Sequence, residues 1–252
     1  MKPTVLITGA SSGFGRACAE IYNQNDYPTI LIARRYQRLE AIKSKFTANA
    51  ACHIAEVDIT NVSQIKTFLA ELPEAFKPIG ILINNAGLAL GAHSFDQLPQ
   101  EDYNQMIDVN IKGTVELTHL VLPEMIKNNS GHIINIGSIA GSWPYPGGNV
   151  YCATKAFIAQ FSRGLRADLL GKNIRVTNIE PGLAETEFSN VRFKGDDQKA
   201  QSIYHNTKPL TAKDIAETVF FASSMPKHVN INSIEVMPTV QSWSALAVWK
   251  TD

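Results

Sequence analysis

Short apolar runs alternate with longer amphipathic segments along this chain, and this alternation restricts its fold more than any other feature. Several runs consist almost entirely of Val, Ile and Leu, as expected of strands that are covered on both faces. Between Ile65 and Leu72, apolar residues recur at the spacing of one helix face. Strands that alternate with helices predict an α/β fold with a parallel, doubly wound sheet and helices on both faces. The seven predicted strands are Thr4–Thr8, Thr29–Ala33, Cys52–Val57, Ile79–Ile83, His132–Ile136, Arg175–Ile179 and Ser233–Met237.

The size and charge of the chain limit its organisation and its partners. It has 252 residues, with 23 Lys and Arg residues against 23 Asp and Glu residues, so the formal net charge is zero. This length fits one large domain over residues 1–252, and no repeat or linker divides it. A chain without excess positive charge is unsuited to binding a phosphate backbone, so we expect no nucleic-acid partner.

The cysteines, histidines and apolar runs exclude further classes of protein. The three cysteines are widely spaced and the six histidines are scattered singly. This pattern predicts neither a disulfide framework nor a metal site. Because no apolar run is long enough for a signal peptide or a membrane span, we expect a cytoplasmic protein that does not bind a membrane.

Two stretches depart from the alternation of strands and helices. Residues 183–209 form a long polar stretch between a predicted strand and a predicted helix. Because long insertions in compact domains are often lids or binding loops, we interpret this stretch as a substrate lid, with a passive surface loop as the alternative. Residues 239–252 include Trp243 and Trp249. Two tryptophans so near a terminus predict a tail that docks on a protein surface.

A glycine-rich turn follows the first predicted strand and leads into a predicted helix, Arg16–Tyr22. Gly9 permits a tight turn, Gly13 lets the backbone approach a pyrophosphate, and Gly15 lets the helix pack closely on the strand. The helix N-terminus adds free N–H groups and the positive end of a dipole. The turn therefore predicts a dinucleotide site, with an ordinary glycine-rich connection as the alternative. Its predicted cofactor-binding residues are Gly9, Ser11, Ser12, Gly13, Phe14 and Gly15.

The residues after the second predicted strand indicate which dinucleotide binds. Proteins that bind NAD use an acidic residue there to accept a hydrogen bond from the ribose 2′-hydroxyl. This strand is followed instead by Arg34 and Arg35, whose guanidinium groups suit the 2′-phosphate of NADP. We therefore predict NADP as the cofactor; the alternative is that both arginines are solvated charges at a helix start. Asp58, after the third strand, could accept a hydrogen bond from the adenine amino group or cap the next helix.

Tyr151 and Lys155 are candidates for acid/base chemistry. They lie four residues apart in a predicted helix, Val150–Leu170, so their side chains share one helix face. A nearby ammonium group lowers the pKa of a phenol from about 10 toward the working pH, and Tyr151 could then transfer a proton. Ser138 follows the fifth strand, at the edge of the sheet where ligands bind. The hydroxyls of Ser138 and Tyr151 could together hold the substrate oxygen. If Ser138 were absent, the simpler interpretation would be that Tyr151 and Lys155 are two unconnected helix residues.

In order and spacing, these residues resemble those of the short-chain dehydrogenase/reductase family, and the resemblance covers nearly the whole chain. The family's glycine turn matches Thr8–Gly15, its NNAG motif matches Asn84–Gly87, and its PG motif matches Pro181–Gly182. The resemblance implies a single Rossmann-type domain that transfers a hydride to or from a nicotinamide. It implies the catalytic residues Asn110, Ser138, Tyr151 and Lys155.

The resemblance also implies individual roles for the matched residues. Asn110 would hold a water in a proton relay, and Lys155 would bond the nicotinamide ribose close to Tyr151. The residues implied to line the adenosine and ribose side are Asn84, Ala86 and Gly87. Those implied at the nicotinamide end are Pro181, Gly182 and Thr186.

Three stretches are similar to a narrower group, the NADP-dependent 3-hydroxy acid dehydrogenases: Asn84–Gly91, Gly141–Tyr151 and Thr186–Asp197. Members of that group act on serine, allo-threonine, 3-hydroxypropionate or 3-hydroxyisobutyrate and reduce malonic semialdehyde. The resemblance thus implies a short 3-hydroxy acid as substrate, and a homotetramer. A hydroxy acid carries a carboxylate, which needs a cation or N–H donors. Arg192 is the predicted substrate-binding cation, with an ordinary surface charge as the alternative.

Two other functions are compatible with the sequence. One is an NADPH-dependent reductase of another carbonyl compound, such as a sugar, a steroid or a ketoacyl group. The other is a dinucleotide-binding regulator without turnover. A regulator has no need for all four catalytic positions, and all four are filled here. A panel of substrates, followed by the absorbance of NADPH, separates these functions from the oxidation of hydroxy acids.

Overall fold

A computed structural model of the chain describes residues 2–47 and 50–243. In these ranges seven parallel strands form one sheet in the order β3-β2-β1-β4-β5-β6-β7. The strand order runs outward from β1 in one direction and from β4 in the other, so the predicted doubly wound sheet is confirmed. The strands are β1 (Thr4–Thr8), β2 (Thr29–Ala33), β3 (Cys52–Glu56), β4 (Ile79–Asn84), β5 (Gly131–Ile136), β6 (Ile174–Pro181) and β7 (Ser233–Val236).

Helices lie between the strands, as the alternation of the sequence predicts. The first begins at Gly13 rather than at the predicted Arg16, because the glycine turn closes directly into it. The helices are α1 (Gly13–Gln24), α2 (Tyr36–Lys43), α3 (Val62–Glu71), α4 (Gln100–Ile107), α5 (Thr114–Lys127), α6 (Asn149–Asp168), α7 (Phe188–Arg192), α8 (Asp197–Ser202) and α9 (Ala212–Ser224).

The sheet separates two hydrophobic cores. Successive side chains of a strand point to opposite faces, so Val5 and Ile7 of β1 pack in one core and Leu6 packs in the other. The first core also contains residues of α1, α2 and α9, and the second contains residues of α3, α5 and α6. With both faces covered, the strands between the edge strands β3 and β7 are largely buried, as a parallel sheet requires. Because every strand pair is parallel, the carboxyl ends of the strands lie at one edge of the sheet.

The long polar stretch at residues 183–209 contains the two short helices α7 and α8. Its two ends lie side by side, because Ala184 and Leu210 form a parallel bridge. At the C-terminal end of the described residues, the exposed Trp243 ring lies 6.1 Å from the Trp143 ring. Its Nε1 donates a hydrogen bond to Glu235 over 3.1 Å. The rest of the predicted docking tail, including Trp249, lies outside the described residues.

The helices and the possible metal ligands of residues 2–47 and 50–243 bear on membranes and metals. No helix in these ranges combines the length and the apolar character needed to cross a membrane. Nor do three or more His, Cys, Asp or Glu side chains converge there in a group that could hold a metal ion. The three cysteines are free thiols.

Candidate active site

A cleft of about 320 Å³ opens beyond the carboxyl ends of the strands, where the strand order reverses between β1 and β4. In open α/β sheets this reversal is the usual place for a ligand. Most of the residues predicted to bind a cofactor lie together here. They are Gly9, Ser11, Ser12, Gly13, Phe14, Arg34, Arg35, Asp58, Ala86, Gly87, Tyr151, Lys155, Pro181, Gly182 and Thr186.

The glycine turn is fixed to the end of β4 by hydrogen bonds. Thr8 Oγ1 accepts from the backbone N–H groups of Asn85 and Ala86, over 2.9 and 2.8 Å. Gly9 has a φ of +62°, a left-handed conformation that favours glycine. A Cβ at Gly15 would lie 2.5 Å from the Gly9 carbonyl oxygen, so the predicted close packing of the helix on the turn requires a glycine. Gly15 itself supports the cleft without lining it.

The structure contradicts the placement of Asn84 in the cofactor cleft. Its side chain is buried, and its Nδ2 donates to Thr118 Oγ1 and Asn135 Oδ1 over 2.9 and 2.8 Å. Asn84 is the last residue of β4, where successive side chains point to opposite faces of the sheet. The next residue, Asn85, lines the cleft instead, and its Nδ2 donates to the Thr8 carbonyl over 2.8 Å.

Asp58 lines the cleft but does not cap the following helix. Its Oδ1 accepts from Thr60 N and Thr60 Oγ1, over 2.9 and 2.8 Å. The cap of α3 is Asn61, whose Oδ1 accepts from Gln64 N over 3.1 Å. The helix-cap alternative for Asp58 is therefore wrong.

Arg35 joins the glycine turn to the far side of the cleft. Its Nε and Nη2 donate to Ser11 Oγ over 3.2 and 3.1 Å, and Nη2 also donates to Ser12 Oγ over 2.9 Å. Its Nη1 lies 3.0 Å from Oε2 of Glu187, a residue of the polar stretch, and Arg38 forms an ion pair with the same carboxylate. Burial raises the pKa of Glu187, but the Arg38 and Arg35 guanidinium groups outweigh it and leave the pKa below its usual value.

Sequence reasoning missed two members of this charge cluster. Arg38 could have been found, because it lies three residues after Arg35 and so falls on the same side of α2. Glu187 could not, since no pattern in the sequence places a residue of the polar stretch against the start of α2.

Tyr151 and Lys155 lie on one face of α6, at the wall of the cleft. Lys155 Nζ donates to the Ile136 carbonyl over 2.7 Å and lies 5.9 Å from the centre of the Tyr151 ring. Burial lowers the pKa of Lys155 to about 8. Burial also raises the pKa of Tyr151 above its ordinary value, although the Ser138 hydroxyl and the Arg192 charge act in the opposite direction. In the protein alone, desolvation therefore outweighs the lowering expected from Lys155.

Ser138 follows β5 and begins a short 3₁₀ turn, Ile139–Gly141. Its Oγ accepts from Ala140 N over 3.1 Å and lies 3.4 Å from the Pro181 carbonyl oxygen. It therefore connects the end of β5 with the PG segment of β6. Its hydroxyl also lies close enough to Tyr151 to lower the pKa of the phenol.

Asn110 lies behind the cleft in a widened π-helical turn, Asp108–Gly113. Its Oδ1 accepts from Leu88 N over 2.8 Å, and its Nδ2 donates to Leu88 O and Thr154 Oγ1 over 2.8 and 3.0 Å. The buried amide thus fixes the loop after β4 to α6, rather than lining the cleft. Turns of this kind occur often at functional sites.

The polar stretch covers the cleft from the opposite side. The ring of Phe188 lies 5.7 Å from the Tyr151 ring, and Thr186 lies over Gly13. Thr186, Glu187, Phe188 and Val191 all line the cleft.

Two residues of this stretch anchor it beside the cleft. Arg192 Nε donates to Gly91 O over 2.9 Å, and its Nη1 donates to Tyr145 Oη over 3.0 Å. Arg192 adjoins the cleft without lining it, close enough for its charge to lower the pKa of Tyr151. Lys194 Nζ forms an ion pair with the buried carboxylate of Asp102 over 2.9 Å. Tyr145 was missed at the sequence level, although the aromatic loop that contains it directly precedes α6.

Comparison with known proteins places this architecture in a family. The sequence profile of the short chain dehydrogenase family matches residues 3–197. The chain therefore belongs to the short chain dehydrogenase family, as its motifs predicted.

Several relatives are similar over almost their whole length. The chain is 52% identical to the NADP-dependent 3-hydroxy acid dehydrogenase YdfG of Escherichia coli strain K12, over 97% of this chain and 98% of that one. It is 47% identical to sulfoacetaldehyde reductase 2 of Chromohalobacter salexigens, over 98% and 99%. A solved structure of the closed form of serine dehydrogenase complexed with NADP⁺ matches with a TM-score of 0.96 and 51% identity, covering 98% of this chain and 100% of the other.

Proposed function

We propose that this chain is an NADP-dependent dehydrogenase that transfers a hydride between the nicotinamide and C3 of a short 3-hydroxy acid, such as serine, allo-threonine or 3-hydroxypropionate. The observation that carries the proposal is the position of Tyr151 and Lys155, side by side in a cleft that also contains the glycine turn and Arg35. The substrate class is supported by relatives that are about 50% identical to this chain in sequence and are named for 3-hydroxy acids and for serine.

The residues that line the cleft fit NADP as cofactor. The backbone of the glycine turn offers N–H groups to a pyrophosphate at the start of α1, and Arg34 and Arg35 offer guanidinium groups to a 2′-phosphate. Asp58 would accept a hydrogen bond from the adenine amino group, and Lys155 would bond the nicotinamide ribose. A Cβ at Gly87 would lie 3.3 Å from Asn110 Oδ1, a tight contact that glycine avoids. Pro181, Gly182 and Thr186 would contact the nicotinamide end. When bound, NADP⁺ would accept the hydride and NADPH would supply it.

Tyr151 is the proton-transferring group in this proposal. During oxidation its phenolate takes the proton of the substrate hydroxyl as the hydride leaves C3, and during reduction its phenol returns the proton to the carbonyl oxygen. Ser138 donates a hydrogen bond that orients this oxygen. Because burial raises the pKa of Tyr151, the phenolate needs the positive charge of Lys155 and of the oxidised nicotinamide nearby. Asn110 supports the proton relay from behind the cleft.

The carboxylate of the substrate is assigned to Arg192 in this proposal. Arg192 lies beside the cleft, with Nη1 on the Tyr145 hydroxyl and its charge close enough to act on Tyr151. A guanidinium group binds a carboxylate with two parallel hydrogen bonds. The same group would also accept a sulfonate, and relatives named sulfoacetaldehyde reductase make a short sulfonated aldehyde the second candidate substrate.

Residues 183–209 act as the lid over this substrate. The proposal is supported by the contacts of Phe188 and Thr186 with the cleft and by the bridge that holds the two ends of the stretch together. We also propose a cytoplasmic homotetramer, on the resemblance to the hydroxy acid group. The exposed Trp143 and Trp243 are candidates for burial between subunits, which light scattering on the purified chain would test through its mass.

The decisive experiment is NADP-dependent oxidation, followed by NADPH absorbance, of serine, allo-threonine, 3-hydroxypropionate and 2-hydroxyethanesulfonate, with Tyr151→Phe as the inactive control. The proposal predicts turnover of the carboxylates with a higher kcat/KM than of the sulfonate. A preference for the sulfonate would favour the second candidate. If none of these four is turned over, NADPH-dependent reduction of sugars, steroids or ketoacyl compounds is tested next: turnover there would point to another reductase, and NADPH binding without any turnover would point to a regulator.

A further inference from the structure

The carboxylate of Glu187 occupies the arginine cluster that the 2′-phosphate of NADP would use. Glu187 directly precedes α7 and lines the cleft. Its Oε2 lies 3.0 Å from Arg35 Nη1, and its Oε1 accepts a hydrogen bond from Arg38 Nη1. One carboxylate therefore bridges two guanidinium groups, as a phosphate group would.

The contacts of Arg35 leave little freedom for an additional anion. Its Nε and Nη2 are directed to the hydroxyl oxygens of Ser11 and Ser12. These hydroxyls accept from Arg35 and still have their own protons to donate to a ligand. The remaining arm, Nη1, faces Glu187. Because Nη1 carries two N–H groups, a phosphate that uses this arm must lie directly beside the carboxylate of Glu187 or displace it.

Charge makes the two anions competitors rather than partners. A phosphate monoester carries up to two negative charges near neutral pH, and a carboxylate within a few ångströms repels it. Before the ligand arrives, Arg35 and Arg38 are both paired with the Glu187 carboxylate. NAD has a 2′-hydroxyl in place of the phosphate, so it binds without displacing the carboxylate.

We propose that Glu187 is a specificity-determining residue, whose carboxylate competes with the 2′-phosphate for Arg35 and Arg38 and limits the preference of the site for NADP over NAD. The inference rests on the proposed function, which assigns the 2′-phosphate to Arg34 and Arg35, and it adds Arg38 to that site. The three side chains are 35%, 42% and 49% exposed for Glu187, Arg35 and Arg38, so each ion pair is partly screened by water. Two such pairs correspond to about a three- to tenfold effect on affinity.

The test is a fluorescence titration of NADPH and of NADH with the wild-type chain and Glu187→Gln, which removes the charge and keeps the shape. Glu185→Gln is the matched control: Glu185 is exposed in the same stretch, and its side chain makes no ion pair within residues 2–47 and 50–243. We expect Glu187→Gln to bind NADPH about three- to tenfold more tightly, with the Kd of NADH changed less than about twofold. High salt should shrink the gain, because it screens the repulsion that the substitution removes. Glu185→Gln should leave both dissociation constants as in the wild type.

The remaining outcomes overturn the inference. If Glu187→Gln weakened NADPH binding, Glu187 would be positioning the arginines for the phosphate instead of competing with it. An equal change for NADPH and NADH would indicate a general effect on the shape of the cleft. A wild-type chain that binds NADH more tightly than NADPH would refute the proposed cofactor itself, so that failure is recognisable before any variant is measured.

Discussion

The floor of the cleft and its cover are held by different kinds of interaction. The floor consists of the strand ends, the π-helical turn and α6, and its polar side chains are buried in hydrogen bonds to backbone groups. The Asn110 amide forms hydrogen bonds with the backbone N–H and C=O groups of Leu88, and Lys155 Nζ donates a hydrogen bond to the Ile136 carbonyl. The cover is the stretch 183–209, and ion pairs that are partly exposed join its Glu187 to the start of α2 and its Lys194 to α4.

This difference determines how much free energy is lost when a contact in either region is removed. Removing one partner of a buried hydrogen bond leaves a polar group without water and costs about 1–3 kcal/mol. An exposed ion pair contributes at most about 1 kcal/mol and weakens as salt is added. We therefore expect changes in the floor to alter catalysis and stability strongly, and changes in the cover to alter ligand binding moderately and in a salt-dependent way.

The largest expected effect is that of Tyr151→Phe in the floor. The substitution removes one hydroxyl from a side chain that packs against Phe188, so the fold and the cofactor site should persist. We expect kcat to fall by about a thousandfold or more, because proton transfer loses its acid/base. The melting temperature and the Kd of NADPH should change little. If Tyr151→Phe retained a tenth of the wild-type kcat, another group would be transferring the proton. The largest effects would then not belong to the floor.

The pH dependence of stability tests the burial of Lys155. Its pKa is lowered from 10.5 to about 8, so between these values the unfolded chain holds a proton that the folded chain lacks. The contribution of Lys155 to the free energy of unfolding therefore rises with pH through this window. In urea unfolding, Lys155→Met should gain stability relative to the wild type by about 2.5 kcal/mol more at pH 7 than at pH 10.

The control for this measurement is Lys172→Met, which makes the same substitution at an exposed lysine outside the cleft. The comparison uses the change between two pH values so that the part of the substitution's effect that does not depend on pH cancels. A difference that did not vary with pH would mean that the Lys155 ammonium is solvated.

Arg192→Ala should give a smaller effect, mainly on substrate binding. Loss of a charged hydrogen-bond donor for the carboxylate should raise KM for 3-hydroxypropionate about ten- to thirtyfold. The Kd of NADPH should stay near the wild-type value, because Arg192 contacts Gly91 and Tyr145 and does not line the cofactor cleft. Lys199→Ala removes a charge from the same cover at an exposed position and should leave KM unchanged. An unaltered KM in Arg192→Ala would mean that the carboxylate binds elsewhere.

The floor was largely predictable from the sequence, because its features are local. The apolar runs located the strands to within about two residues. The glycine turn and the Tyr151–Lys155 spacing can each be recognised within one short segment of the sequence. Asn84 was misplaced because a family motif gives residue identities but not the face on which each side chain lies. The raised pKa of Tyr151 was missed for a related reason: burial depends on the cover that packs on it, which the spacing of Tyr151 and Lys155 does not report.

The cover could be located from the sequence, but its contacts could not. Its polar composition and length marked residues 183–209 as a separate stretch, and Arg192 was selected for its charge and its place in that stretch. The partners of Glu187 and Lys194 lie about 150 and 90 residues earlier in the chain, and only the fold brings them together. Tertiary ion pairs of this kind carry no periodic signal.

The smallest expected effect separates stabilisation of the fold from positioning of the cover. Lys194 is largely exposed and pairs over 2.9 Å with Asp102, which is buried in α4. Lys194→Met should raise KM for 3-hydroxypropionate by about two- to fourfold, because the ion pair through which the exposed Lys194 ammonium holds the cover is lost. The wild-type KM should rise with salt toward the value of the variant, whereas the variant should respond less. Lys208→Met, an exposed charge in the same stretch, should behave as the wild type. A lower melting temperature with an unchanged KM would instead show that the pair serves to neutralise a buried carboxylate, and the cover would then be held by Arg192 and Glu187 alone.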